Sequence, residues 1–127
     1  MAVQFKAVAR VNPADRTKPP KFYAQAVSNG QMTLRQLAKR ISDMSTVSSI
    51  DALAVLEGML QVIPEELGNG KIVRLGEFGS FSVSIKSEAF DAPDNIKSNS
   101  GHGVKMQFRP GALVKEKLNA MTFEKIS

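Results

Sequence analysis

From near Ser48 or Ser49 toward Asn69-Gly70 the chain reads as a helix with too many apolar faces, and that excess limits what it can fold into. Leu53, Leu56, Leu60, Ile63 and Leu67 recur at helical spacing and form one stripe, while Val55, Met59 and Val62 form another a third of a turn or more away. A helix apolar around most of its circumference has to be covered on more than one side. A chain of 127 residues supports one domain with a modest core and has little left to cover both stripes. A partner subunit is the economical answer, so the sequence predicts a homodimer. Ser48 followed by Asp51 resembles a capping box with the shorter acid in place of Glu, and Asn69-Gly70 closes the helical half. Pro64 removes one intrahelical bond and crowds the preceding turn, which predicts a kink or break there.

The rest of the chain reads as α+β. Val3, Phe5, Ala7, Ala9 and Val11 alternate with more polar residues in the period-two pattern of a strand with one buried face, and Phe22, Ala24 and Ala26 repeat it. Between them Asn12-Pro13-Ala14-Asp15 and Lys18-Pro19-Pro20-Lys21 are turn chemistry, giving an N-terminal hairpin with a long, basic, stiff loop. Thr33 is placed to cap a helix burying Leu34, Leu37, Ala38 and Ile41. After Gly70, strands are expected around Val73, then Phe81, Val83 and Ile85, then Val104, Met106 and Phe108. The segment from Ser87 to Gly103, rich in Ser, Asn, Asp and Gly, reads as a long hairpin arm with a mobile tip. Pro110-Gly111 leads into a short closing helix through Ala112, Leu113 and Leu118.

Net charge is +5 with a sequence pI near 9.7, which makes a polyanion the first partner to consider. The charge is uneven. Residues 1 to 32 carry five basic and one acidic side chain, residues 33 to 70 three and five, and residues 82 to 107 three and three. No apolar run approaches the length of a membrane span, and Lys6 and Arg10 interrupt the place of a secretory h-region, so a cytoplasmic protein without a membrane partner is expected. The absence of cysteine excludes disulfide staples and thiolate metal sites. Catalysis has almost no foothold: His102 is the only histidine, and Gly68-Asn69-Gly70-Lys71 lacks the length and hydroxyl residue of a phosphate-binding loop. The sequence therefore predicts a protein that is not an enzyme and has no cofactor, metal or small-molecule substrate.

Val73-Arg74-Leu75-Gly76-Glu77-Phe78-Gly79-Ser80-Phe81 resembles the signature with which the bacterial HU and integration host factor family turns from its helical body into its sheet. Phe108-Arg109-Pro110-Gly111 resembles that family's Phe-Lys-Pro-Gly step into the last helix. Twenty-six residues separate Phe81 from Phe108, room for the family's long arm. The resemblance covers roughly Thr33 to Asn119. It implies one HU-like domain over residues 1–127, with residues 1–32 as an added N-terminal hairpin and residues 33–127 as the core, its arm at about 86–105. It also implies two interlocked chains whose arms embrace double-stranded DNA through the minor groove. Phe78 and Phe81 are then core or dimer-interface residues, with Gly79 serving close approach or a positive φ.

Arg74 and Arg109 are the candidate phosphate contacts on the body, or alternatively solvated strand-end charges. On the arm the candidates are Lys86, Lys97, Lys105 and Pro93, the last matching the family's tip proline or serving simply as a turn residue. The arm departs from the family pattern: Glu88, Asp91 and Asp94 balance its lysines, and it has no arginine. A neutral arm gains little from counterion release. Arg10, Arg16, Lys18 and Lys21 therefore offer an alternative footprint, or else a solvated edge that resists aggregation. Two functions follow: a largely sequence-independent, nucleoid-associated DNA architectural protein, or an HU-like dimeric module that binds protein or has a structural role.

Overall fold

Capping side chains set the helix boundaries in the computed structural model, which describes residues 2–97 and 103–126. Thr33 accepts the Gln36 N–H at 3.3 Å while the Gln36 side chain accepts the Thr33 N–H at 2.8 Å, a reciprocal box that starts helix α1 (Leu34–Asp43). Ser48 accepts the Asp51 N–H at 3.1 Å and starts α2 (Ser49–Gly68). The end of α2 is satisfied by Gly70 N–H to the Leu67 carbonyl and Lys71 N–H to the Glu66 carbonyl, the paired bonds of a Schellman turn. Helix α2 runs through Pro64 without the break that the proline predicts. Pro64 stands near the helix end, so only one backbone bond is forfeited before the Schellman turn takes over the last carbonyls.

Among the described residues, six strands form two sheets. In the first, β1 (Val3–Arg10) pairs antiparallel with β2 (Lys21–Val27) and parallel with the short β6 (Phe123–Lys125), giving the order β2-β1-β6. In the second, β3 (Val73–Arg74), β4 (Gly79–Lys86) and β5 (Gly103–Pro110) are antiparallel in that order. Helix α1 packs on α2, α2 reaches β3 and β4, and α3 (Ala112–Asn119) packs on β4, β5 and the 3₁₀ turn Gly76–Phe78. The mixed α+β class matches the sequence reading. Strand β6 was not foreseen: three residues are too short to display an alternation, and their partner lies at the other end of the chain.

The turn into the second sheet and the step into α3 lock together. The Phe78 carbonyl accepts the Gly111 N–H at 2.9 Å, and the Phe108 ring lies 5.4 Å from that of Phe78 and 4.9 Å from that of Phe81, centroid to centroid. Both glycines permit this approach. A Cβ on Gly79 would lie 2.5 Å from the Arg109 carbonyl oxygen and 2.8 Å from the Phe108 ring, and Gly79 has a φ of +146°. A Cβ on Gly111 would collide with the Glu77 carbonyl.

The core of a single chain is small. Ala38, Ala52 and Leu67 are its buried apolar side chains among the described residues. The second stripe of α2 stays open, with Val55 65% and Val62 53% exposed. On the apolar face of the second sheet, Val73, Phe81 and Phe108 stand side by side, followed outward by the pairs Val83–Met106 and Ile85–Val104. Cover fades along that face until Ile85 and Val104 are 67% and 68% exposed. Substituting Gly79→Ala combines a disfavoured backbone with overpacking and is expected to destabilise the fold by about 3 kcal/mol or more, read as a lowered urea midpoint. A variant within about 0.5 kcal/mol of the parent would show that the junction has room to spare.

Candidate nucleic-acid interface

Alternation on β4 separates two kinds of side chain: Phe81, Val83 and Ile85 on one face, Ser80, Ser82 and Ser84 on the other. Register then decides what lies beside the serines. Ser80 pairs with Arg74 on one side and Arg109 on the other, Ser82 with Gln107, Ser84 with Lys105 and Lys86 with Gly103. Residues directly opposite on paired strands share a face, so Arg74, Arg109, Lys105 and Lys86 stand together on one polar surface. Up to Ser84 the central strand contributes only short hydroxyl side chains there, which leaves room for Arg74 and for Lys105 and Arg109 from the flanking strands, and Lys86 follows at its far end. Arg74, Lys105 and Arg109 line an open concavity of about 530 Å³ with Ser80, Ser82 and Gln107.

All four cations are exposed, and no carboxylate among the described residues pairs with them. The ion pairs among the described residues are Lys39–Asp43 at 3.4 Å and Lys71–Glu66 at 3.1 Å, both elsewhere. The acids of the arm are elsewhere too. The β4–β5 ladder ends at Lys86 and Gly103, and Glu88, Asp91 and Asp94 all lie beyond it, the first two outside regular structure and Asp94 in a short 3₁₀ turn. The regular ribbon is therefore shorter than the length of this segment suggests. Pro93 opens a single 3₁₀ turn, Pro93–Asn95, closed by Ile96 N–H to the Pro93 carbonyl at 3.1 Å. Pro93 and Lys97 belong to this loop and not to the sheet, whereas His102 lies outside the described residues.

The N-terminal candidates form a second group. Arg10 and Lys21 are direct cross-strand partners, and together with Lys18, Pro13, Pro19 and Tyr23 they line an open concavity of about 500 Å³. The Arg10 guanidinium sits 5.5 Å from the centre of the Tyr23 ring, a cation–π contact that holds it near the sheet. Arg16 lies in the adjoining turn, which Asp15 organises by accepting hydrogen bonds from the Thr17 hydroxyl and the Thr17 N–H. Ser80, Ser82, Ser84, Gln107 and Tyr23 were not singled out from the sequence; the serine alternation between Phe81, Val83 and Ile85 was the available signal. No group of three His, Cys, Asp or Glu among the described residues is placed to hold a metal ion. Among them also, no helix is long and apolar enough to cross a membrane.

The Thr17 hydroxyl, and secondly the Thr17 N–H, hold the Asp15 carboxyl below the usual aspartate value. A lowered folded-state pKa means that these bonds support the turn fully above the unfolded value and are lost as pH falls through the folded one. Thr17→Val is expected to move the Asp15 pKa up toward the ordinary aspartate value in an NMR titration. An unmoved pKa would exclude the hydroxyl as the main cause.

Known proteins similar to this chain point the same way. Residues 1–125 match a family described as an HU domain fused to a wHTH, Ig or glycine-rich motif. The DNA-binding protein HRL18 of Rhizobium leguminosarum and that of Rhizobium radiobacter are each 32% identical to the chain over 53 residues, 42% of this chain. The match spans 58% of the length of those relatives. Among solved structures, the Anabaena HU–DNA cocrystal aligns with a TM-score of 0.56 and 27% identity, covering 70% of this chain and 99% of that one. A Bacteroides vulgatus protein provisionally described as a bacterial DNA-binding protein aligns over 98% of this chain and 48% of its own, with a TM-score of 0.68. At 14% identity that second likeness speaks for the fold alone.

Proposed function

The chain belongs to the family of HU domains fused to wHTH, Ig or glycine-rich motifs, and on that premise we propose that it binds double-stranded DNA as a homodimer, through the polar face of β3-β4-β5. The observation that carries this reading is the register that sets Arg74 and Arg109 on either side of Ser80, with Lys105 and Lys86 further along the same face. Such an array meets phosphates and reads no base, so affinity comes from counterion release and any preference from duplex shape. The role is architectural and nucleoid-associated, in the cytoplasm, and acts by binding without catalysis. The single domain is the unit of function, residues 1–32 being an addition to an HU-like core. Lys97 and Pro93, on a loop that also carries three carboxylates, contribute less to the grip than the sheet does.

Dimerisation follows from what one chain leaves uncovered. Val55, Leu60 and Val62 on α2 and Met106, Ile85 and Val104 on the second sheet are each more than half exposed. Burying such side chains contributes on the order of 1 to 2 kcal/mol each. Light scattering coupled to gel filtration is expected to return about twice the chain mass of 13.8 kDa at micromolar concentration, and Leu60→Asp to shift the protein toward monomer or unfolded chain. A parent protein that runs at the single-chain mass would overturn the dimer.

Salt dependence tests the interface itself. Each phosphate neutralised contributes about 0.9 to the slope of log affinity against log salt, so Arg74→Gln with Arg109→Gln, two contacts in each of two protomers, should flatten the slope by about 3.6. Substituting Lys97 and Pro93 should change it by less than about 1 per contact. An unchanged slope in the arginine variant would move the site elsewhere. Absence of any affinity for duplex at low salt would favour a dimeric module that binds protein, the reading to which the acidic loop of Glu88, Asp91 and Asp94 lends support.

A further inference from the structure

The first sheet is two-faced by register. Val3 and Phe5 on β1 share a side with Phe22 on β2 and Phe123 and Lys125 on β6, whereas Lys6 and Arg10 share the opposite side with Lys21 and Tyr23, and Glu124 of β6 lies on that side too, beside Gln4 at the end away from Arg10. Phe22 and Phe123 are each 70% exposed, so the apolar side is the one that assembly has to cover. Covering it turns the cationic side outward. At one end of that side the loop between β1 and β2 brings Lys18 to Arg10 and Lys21 around a concavity walled by Pro13 and Pro19. Proline restricts the backbone at both walls, and the Tyr23 ring holds the Arg10 guanidinium, so part of the ordering cost of binding an anion is met before the anion arrives.

We propose that this cationic side of β2-β1-β6 is a second seat for a phosphodiester backbone, and that the protein uses it to hold a second DNA duplex while the face of β3-β4-β5 holds the first. The inference rests on the DNA-binding reading above and adds bridging to it. The two cationic faces share no strand, and each belongs to its own hydrogen-bonded ladder. Among the described residues the cations of each face form no ion pair with a carboxylate, so each face has counterions to release. Charge that only keeps an open edge from aggregating could sit anywhere along β2, or along β1 beyond Phe5 where its pairing with β6 ends. Here the cations come from β1, β2 and the loop together, and they converge on one concavity.

A two-duplex capture experiment separates the steps. Duplex DNA is fixed to beads, the full chain is bound, and a fluorescent second duplex is added at low salt. The parent protein is expected to retain the second duplex, and the Lys6→Gln, Arg10→Gln, Lys18→Gln, Lys21→Gln variant to lose at least about tenfold of that capture while still binding the first duplex. Retained binding of the first duplex also shows that the variant is folded; should it not fold, Lys18→Gln with Lys21→Gln, both at exposed positions, replaces it. Capture that persists undiminished in the folded variant overturns the second seat, as does a parent protein that binds bead DNA and captures nothing. A parent that fails to bind even the bead DNA instead removes the DNA-binding reading, and bridging with it.

Discussion

The hydrogen bond from the Gly111 N–H to the Phe78 carbonyl, 2.9 Å long, joins two segments that are distant in sequence and sets everything downstream of them. With Phe108 packed against Phe78 and Phe81, it pins β5 against β4 in one register and delivers the chain to the start of α3. A slip of one residue would turn every side chain of β5 to the opposite face. Lys105, Gln107 and Arg109 would then enter the apolar layer, and Val104, Met106 and Phe108 would leave it. Gly79 and Gly111 are where side chains would collide with backbone and prevent the approach. Their role is thus indirect: they touch no partner, yet they determine which face carries charge.

Strand register converts a chain of modest net charge into faces on which cations predominate. The sheet β3-β4-β5 is apolar on the side of Phe81 and cationic on the side of Ser80, and the β1-β2 pair repeats the division with different residues, while β6 adds Glu124 to the cationic side and Lys125 to the apolar one. Each sheet therefore has one face that seeks cover and one that seeks an anion. The uncovered apolar side chains of α2 and of the outer half of the second sheet connect fold to assembly, because a dimer that covers them leaves the cationic faces as the exposed ones.

Much of this was legible in the sequence. The two stripes of α2 called for cover on two sides, and the Val73–Phe81 and Phe108–Gly111 motifs identified the family, because both depend on local spacing. The grouping of cations was not, because it depends on pairing across strands. Counted by segment, residues 82 to 107 are neutral, but register divides them: Lys86 and Lys105 stand on the ladder with Arg74 and Arg109, and Glu88, Asp91 and Asp94 lie beyond its end. Strand β6 stayed invisible for a related reason, since Phe123–Lys125 shows no alternation of its own and owes its strand conformation to Val3–Phe5. Of the kink or break expected at Pro64, the break does not occur: α2 stays helical from Ser49 to Gly68.

The most direct test of the interface is an NMR titration of isotope-labelled protein with a short duplex, following the Arg74 and Arg109 side-chain N–H signals together with the backbone amides. Binding on the polar face predicts that these signals, and the amides of Ser80, Ser82, Ser84, Lys105 and Gln107, shift first and furthest as DNA is added. Shifts confined to residues 87–97, with Arg74 and Arg109 unmoved, would contradict it.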